Sequence, residues 1–323
     1  MPYLSATEPS AAAQALAAGH VAVIPTETVY GLGAVANDPV AVARIFAIKG
    51  RPVDHPLIAH VVSSDAARAW AAKIPAYAES LMDRFWPGPM TLIFDRSDRA
   101  ADYITGGQDT VAVRVPGSPI TRQVLRELAE IMSDPAVAVA APSANRFGRV
   151  SPTTAQHAAE ELGELLEDDD VLLDAGPCDV GLESTIVDCT GAAPVILRPG
   201  KVTAQEIAEV TALELGQRSE VRAPGTLAAH YSPIARVRLV DEQDAHELFA
   251  EASTGLIALA SVTTPPGAVR LCAPHSIEEY AACLYRALRE ADALELAQIV
   301  AIPPMGEGLA EAIRDRLQRA AAE

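Results

Sequence analysis

The chain reads as an α/β protein of two domains, a mixed-sheet domain followed by a smaller one on a parallel sheet. Three observations predict this. Short apolar runs alternate with helix-length amphipathic stretches from residue 11 to about residue 211. The periodicity breaks down over residues 212–233, where Pro and Gly gather, and a second alternation follows. At 323 residues, half of them apolar, the chain is also too long for one average core.

In the first domain, taken as residues 1–211, VAVIP, PLIAHVV, MTLIF, TVAVRV, AVAVAA, VLLDA, TIVD and PVILR are the predicted strands, short and rich in aliphatic residues. AVARIFAIK, AYAESLMDRF, ITRQVLRELAEIM and TAQHAAEELGELL repeat apolar residues at helical spacing. These elements are complete by about residue 205. Residues 212–233, ALELGQRSEVRAPGTLAAHYSP, have a linker's composition. Residues 234–323 then run RVRLV, a helix through HELFAEA, LIALAS, AVRLC, a long helix from Ser276, QIVAIPP and a final helix from Glu307. That order predicts a small doubly wound, Rossmann-like sheet.

The formal charge is −18, from 43 acids and 25 bases. Nucleic-acid affinity comes mainly from neutralising phosphates, so the overall charge argues against a protein that grips nucleic acid alone. It also makes each Lys or Arg in a turn more informative. The apolar runs are too short to span a bilayer and no signal segment opens the chain, so a cytoplasmic protein without membrane contact is expected. Cys178, Cys189, Cys272 and Cys283 have no close pairing and no zinc-finger spacing, which predicts buried thiols rather than disulfides or a structural metal.

PTETVYGLGA follows the first strand and presents Thr26, Glu27, Thr28 and Tyr30 ahead of Gly31 and Gly33. IKGRPVDHPL sets Lys49 and Arg51 on either side of Gly50. One reading is a helix C-terminus whose cations complement the dipole and whose glycine supplies a left-handed cap. The other is a clamp: in an extended segment, side chains two residues apart leave on one side and suit a polyphosphate. In TVAVRVP, Val111, Val113 and Val115 fall on one face, and Thr110, Ala112 and Arg114 on the other. Arg114 is either at a solvated edge or in a polar cavity; under a covered sheet it needs an anionic partner.

AVAVAAPSANRFGRVSPTTAQHAAEEL reads as a strand ending at Pro142, a loop with Ser143 and Asn145, and Ser151 capping a helix that starts at Pro152. Loops at strand ends beside helix N-termini bind phosphorylated ligands in α/β folds. An acyl-enzyme role for Ser143 is the alternative, without a GxSxG elbow around it. GLESTIVD and PVILRPG bring Glu183, Ser184 and Arg198 to strand ends, where turn chemistry is the plainer reading. FWPGPMTLIF reads as a rigid turn with core aromatics, and His60 in LIAHVV as a hydrogen-bonded structural His. There is no Walker A loop and no GxGxxG, so a nucleotide site is built another way.

Together, PTETVYGLGA, KGRP with DHPL, WPGP, AVRVP, APSAN with SPT, GLESTIVD and ILRPG stand in the order seen in the YrdC-like threonylcarbamoyl-AMP synthases. The chain resembles the long, two-domain form of that family, densely over residues 20–201 and, beyond them, through HYSP at 230–233 and the strand–helix order. The resemblance implies a YrdC-like mixed twisted sheet with flanking helices. It also implies condensation of L-threonine, bicarbonate or carbon dioxide, and ATP with magnesium, into threonylcarbamoyl-adenylate and pyrophosphate. Other proteins, the downstream threonylcarbamoyl transferases, would carry the group to tRNA, which this chain would meet only indirectly.

By the same resemblance, Lys49 and Arg51 would be catalytic and meet the ATP phosphates. Thr110, Ser143, Asn145, Ser151 and Arg198 would complete the nucleotide site, with Tyr231 reaching back over it. Thr26, His60, Arg114 and Ser184 would surround threonine; no protein metal ligand is implied. All participants are anionic, so cations and backbone donors matter more than an acid–base dyad. The hydroxyls of PTETVYGLGA would hold the small amino acid, and its glycines would let backbone approach the reacting groups.

Three positions depart from the family pattern: Ala175 in DAG, His55 in DHPL, and Ala228–Ala229, where an aromatic residue commonly precedes HYSP. Two other classes stay open: a tRNA- or double-stranded-RNA-binding module, and a carbamoyl-adenylate enzyme acting on another amine.

Overall fold

The computed structural model describes residues 3–227, 229–241 and 253–322. Ten strands form one mixed sheet: β1 (Leu4–Ala6), β2 (Ala22–Ile24), β3 (Gly31–Val35), β4 (Ile58–His60), β5 (Met90–Asp95), β6 (Thr110–Arg114), β7 (Val139–Ala140), β8 (Val171–Leu173), β9 (Thr185–Asp188) and β10 (Val195–Arg198). Their order is β1-β8-β2-β3-β7-β4-β6-β5-β9-β10. β6 lies parallel to β4 and antiparallel to β5, with His60 opposite Arg114. The period-two pattern of TVAVRVP has its predicted effect: Val111, Val113 and Val115 enter the main core, and Ala112 packs on the other face with Ile58, Ile93 and Ile186.

The helices owe their limits to capping residues. The helix Pro39–Lys49 starts where Asp38 accepts from the backbone N–H of Val40 and Ala41, and stops at Gly50 in the left-handed region. The helix Pro119–Met132 starts at Ser118 and packs its apolar stripe on the helix Pro9–Ala17. The sequence reading missed β1, β3 and the helices Pro9–Ala17, Ser64–Arg68, Asp102–Thr105 and Ala204–Thr211. The last corrects the expectation that the domain is complete by residue 205. Its capping box, Thr203 with Glu206, was the overlooked start.

Beyond the linker, β11 (Arg236–Leu239), β12 (Thr254–Ile257), β13 (Val269–Cys272) and β14 (Gln298–Ala301) pair in parallel in the order β11-β14-β12-β13. The helices Ile277–Ala293 and Leu309–Ala321 share a core on this sheet. The helix expected through HELFAEA lies outside the described residues.

The two sheets are not separate bodies. Val29, Val150 and Leu182 of the first half belong to the same apolar cluster as Tyr280, Tyr285 and Ile313 of the second. Ion pairs Arg149–Asp292 and Arg289–Glu161 flank it. Gly181, at φ +75°, lets the backbone pass so closely that a Cβ there would lie 2.7 Å from Ala282 Cα and 2.8 Å from Ala281 O.

Candidate active site

A cleft enclosing about 620 Å³ of space, open solvent included, lies where β4 and β6 meet the loops at Thr26–Gly31, Ala141–Ser143 and Glu183–Ser184. Arg114, 3% exposed, points into it and finds the predicted anionic partner in Glu27. Its Nη1 donates to Thr28 Oγ1 at 3.0 Å and its Nε to Gly88 O at 3.2 Å.

Thr26 Oγ1 donates to Val29 O at 2.6 Å and accepts from the N–H of Thr28 and Val29 at 3.2 Å, so the hydroxyls of PTETVY first hold their own loop. Gly31 lines the cleft, but Gly33 is needed for packing: a Cβ there would lie 2.6 Å from Val139 Cγ1. His60 is buried, its Nδ1 3.1 Å from Ile58 O, and burial, then Arg114, push it down to about 3. It is therefore neutral, as a structural His would be.

Opposite Arg114 stand three buried cations without an ion-paired acid among the described residues: Lys49, Arg51 and Arg198. Lys49 Nζ donates to the carbonyls of Ser143 and Asn145. Arg51 Nη2 donates to Pro56 O at 2.9 Å, and its guanidinium carbon lies 5.9 Å from the centre of the Phe147 ring. Arg198 donates to Ser184 O and to Pro224 O. Burial, and then Arg51, hold the Lys49 ammonium well below its usual range; burial lowers Arg51 to about 10. Seven buried side-chain polar atoms lack a partner among the described residues, and four are here: Arg51 Nε, Asn145 Oδ1, His230 Nδ1 and Tyr231 Oη. Buried polar atoms are ordinarily bonded, so this concentration marks where a ligand's polar groups go.

The linker closes the cleft. Val221 and Ala223 pack on Ile58 and Ala112, Arg222 donates to the carbonyls of Asp54 and Gly106, and Tyr231 is 1% exposed. Rings of His55, Phe147, His230, Tyr231 and Tyr285 follow one another at 4.1 to 6.2 Å.

Residues 14–200 match the family model described as "Telomere recombination", and residues 202–322 the one described as "Threonylcarbamoyl-AMP synthase, C-terminal domain". The chain is 38% identical over 320 residues to the threonylcarbamoyl-AMP synthase of Pyrococcus abyssi, spanning 94% of this chain and 90% of that one. It is 36% identical to that of Bacillus subtilis, over 98% and 94% of the two chains. The chain belongs to the threonylcarbamoyl-AMP synthase family. The crystal structure of Pyrococcus abyssi Sua5 complexed with L-threonine matches it with a TM-score of 0.87 at 36% identity, covering 99% of this chain and 98% of that one.

In this member of the threonylcarbamoyl-AMP synthase family, Thr26, Arg51, His60, Arg114, Ser143, Ser184, Arg198 and Tyr231 all line the cleft. Lys49 and Asn145 stand behind its wall, joined through the Asn145 carbonyl. Thr110 shares a strand face with Arg114 but lies four residues away, about 13 Å along β6. Lys49 and Arg51 are not on an extended segment: Gly50 makes a left-handed turn between them, so the helix-end reading is the correct local geometry. Nor does Ser151 cap a helix. Thr154 caps Ala155–Leu162, while Ser151 Oγ donates to Glu183 Oε1 at 2.6 Å. Glu183 is the stronger attraction because it is a buried carboxylate.

The departures find an account in the structure. Only Gly176 of DAG has a positive φ, so Ala175 costs no required freedom; its N–H meets Tyr30 Oη at 3.2 Å. His55 packs edge-on to Phe147 at 5.3 Å. Ala228 lies outside the described residues. Sequence reasoning missed Thr91, Phe147, Tyr285 and Arg316 as cleft or support residues. Thr91 Oγ1 lies 2.7 Å from Ser184 Oγ, and nothing local in MTLIF announces it.

Proposed function

We propose that this chain is a threonylcarbamoyl-AMP synthase that condenses L-threonine, bicarbonate or carbon dioxide, and ATP. The observation that carries the reading is the group of three buried cations, Lys49, Arg51 and Arg198, without an ion-paired acid among the described residues of a chain whose net charge is −18. A buried charge is tolerated when an opposite charge joins it, and polyphosphate supplies that charge here. The threonine amine takes up carbon dioxide, losing a proton, and becomes a carbamate. A carbamate oxygen then bonds to the α-phosphorus of ATP as the bond to the β-phosphate oxygen breaks, and pyrophosphate leaves with that electron pair.

In this reading Lys49, Arg51 and Arg198 offset phosphate charge, with Ser143, Asn145, Ser151 and Tyr231 around the nucleotide and Thr110 at the far end of an extended ligand. Arg114 holds the threonine carboxylate in the pocket of Thr26, His60 and Ser184. Among the described residues no group of three or more His, Cys, Asp or Glu could hold a metal, and Glu183 is bonded to Arg316, Tyr285 and Ser151. Magnesium enters as part of the substrate, carried on the phosphates of ATP.

We further read residues 1–211 as the catalytic unit, 212–233 as a lid that opens for product release, and 234–323 as the smaller domain. The enzyme acts in the cytoplasm and hands its adenylate to a transferase, binding free tRNA only weakly. The test is incubation with ATP, bicarbonate and each amino acid in turn, reading pyrophosphate release. Release with threonine alone supports the proposal; release with another amine in preference to threonine, or with none, sinks it. A gel shift with tRNA at about 150 mM salt tests the partner reading, which submicromolar binding contradicts.

A further inference from the structure

Three segments at the cleft, around Glu183, Pro199 and Tyr231, converge on one side chain from the C-terminal domain. Arg316 is 0% exposed. Its Nε donates to Glu183 Oε2 at 2.9 Å, its Nη2 to Pro199 O at 2.9 Å and its Nη1 to Asp315 Oδ2 at 2.6 Å. Its guanidinium carbon sits 5.3 Å from the centre of the Tyr231 ring. Tyr285 adds a second hold from the same domain: its hydroxyl donates to Glu183 Oε2 at 2.7 Å, and its ring stacks on Tyr231 with centroids 5.6 Å apart at 27°. Glu183 passes the constraint on through its other oxygen, which accepts from Ser151.

We infer that Arg316 and Tyr285 are positioning residues for the synthase reaction, fixing Glu183, Ser151 and the Tyr231 ring so that the C-terminal domain completes the nucleotide side of the cleft. The inference rests on the functional reading above. A buried ion pair is weak evidence for stability, since desolvation offsets most of the attraction. What it supplies is direction: Arg316 has fixed donors in a plane, and each is used on a different segment. Nothing in this group touches Arg114, so the effect belongs to ATP and not to threonine.

The experiment uses the full chain. Arg316→Met alone strands the Glu183 charge and lowers Tm. Adding Glu183→Gln removes that charge, and Tm is expected to recover. In the recovered double variant the KM for ATP stays raised by about tenfold or more, with the KM for threonine within about twofold of the parent. A recovered double variant with the parent's ATP KM overturns the inference. If the double variant does not fold, Tyr285→Phe decides, since it removes one hydroxyl. An ATP KM raised about threefold or more with threonine unchanged supports positioning, and an unchanged ATP KM, or an equal rise in both, refutes it. Calorimetric ATP binding is measured alongside. A parent chain that binds ATP but releases no pyrophosphate with threonine faults the proposed reaction, and the ATP affinities of the variants still decide the inference.

Discussion

Replacing Arg51 by Met should make the ligand-free protein more stable while removing its response to ATP. Arg51 is 7% exposed, has no ion-paired acid among the described residues, and is lowered by burial from its ordinary value to about 10. At about 1.4 kcal/mol per pH unit, that gap means the charge costs the fold roughly 3 kcal/mol at neutral pH. Met fills much of the same volume but gives up the bond from Nη2 to Pro56 O, worth about 1 to 2 kcal/mol. The net expectation is a gain of about 1 to 2 kcal/mol, read as a higher urea midpoint without ligand.

With ATP at a hundred times its Kd the parent should gain about 2.7 kcal/mol more, and the variant almost none. Pyrophosphate release should fall by about 2 to 4 kcal/mol of transition-state stabilisation, roughly 30- to 1,000-fold. A ligand-free variant less stable than the parent, or one still stabilised by ATP, would refute the view that Arg51 is kept for an absent anion.

Arg114→Lys keeps the charge beside Glu27 but not the donors to Thr28 and Gly88; the KM for threonine should rise about tenfold with that for ATP little changed, and equal losses would contradict the division of roles. His60 and His230 are each held near about 3 and His157 near about 4, burial being the largest cause in each. The unfolded chain, with its His near 6.5, therefore binds more protons as pH falls below about 6.5. Stability should drop through that window by up to about 2.7 kcal/mol per pH unit from His60 and His230, and a denaturant midpoint flat from pH 7 to 5 would exclude it. A chain ending at residue 211 uncovers Val29, Val150 and Leu182 and strips Glu183 of Arg316 and Tyr285; it should bind ATP at least about tenfold more weakly, as should Tyr231→Ala in the full chain. Parent-like affinity in both would reduce residues 212–233 to a tether.

What was legible in the sequence is what depends on local pattern. Alternation placed Arg114 opposite three core valines, and the long helix expected from Ser276 begins there because a cap acts within three residues. Gly31–Val35 escaped notice because its glycines carry no strand propensity; the strand exists through pairing with Ala22–Ile24 and packing against Val139. The destination of Ser151 was unreadable for another reason. Two caps compete within SPTT, and the winner is decided by Glu183, thirty-two positions on. Arg316 gave no sign at all: on a polar helix with two other arginines, Arg314 and Arg319, its burial is a fact of tertiary packing. The linker's composition is legible in the sequence, but the seat of Val221 and Ala223 against Ile58 and Ala112 is not, because partners more than a hundred residues away decide it.

The seam at Gly181 bears on how such a chain can be recombined. A C-terminal half borrowed from a relative would have to offer backbone as bare as Ala281–Ala282 at the point of crossing, because one added carbon at 181 already falls 2.7 Å from a Cα. Chimeras spliced at residue 211 thus inherit a steric lock and key of about one methyl group, independent of any match in their active sites. Exchange between lineages would have to carry both sides of that contact together.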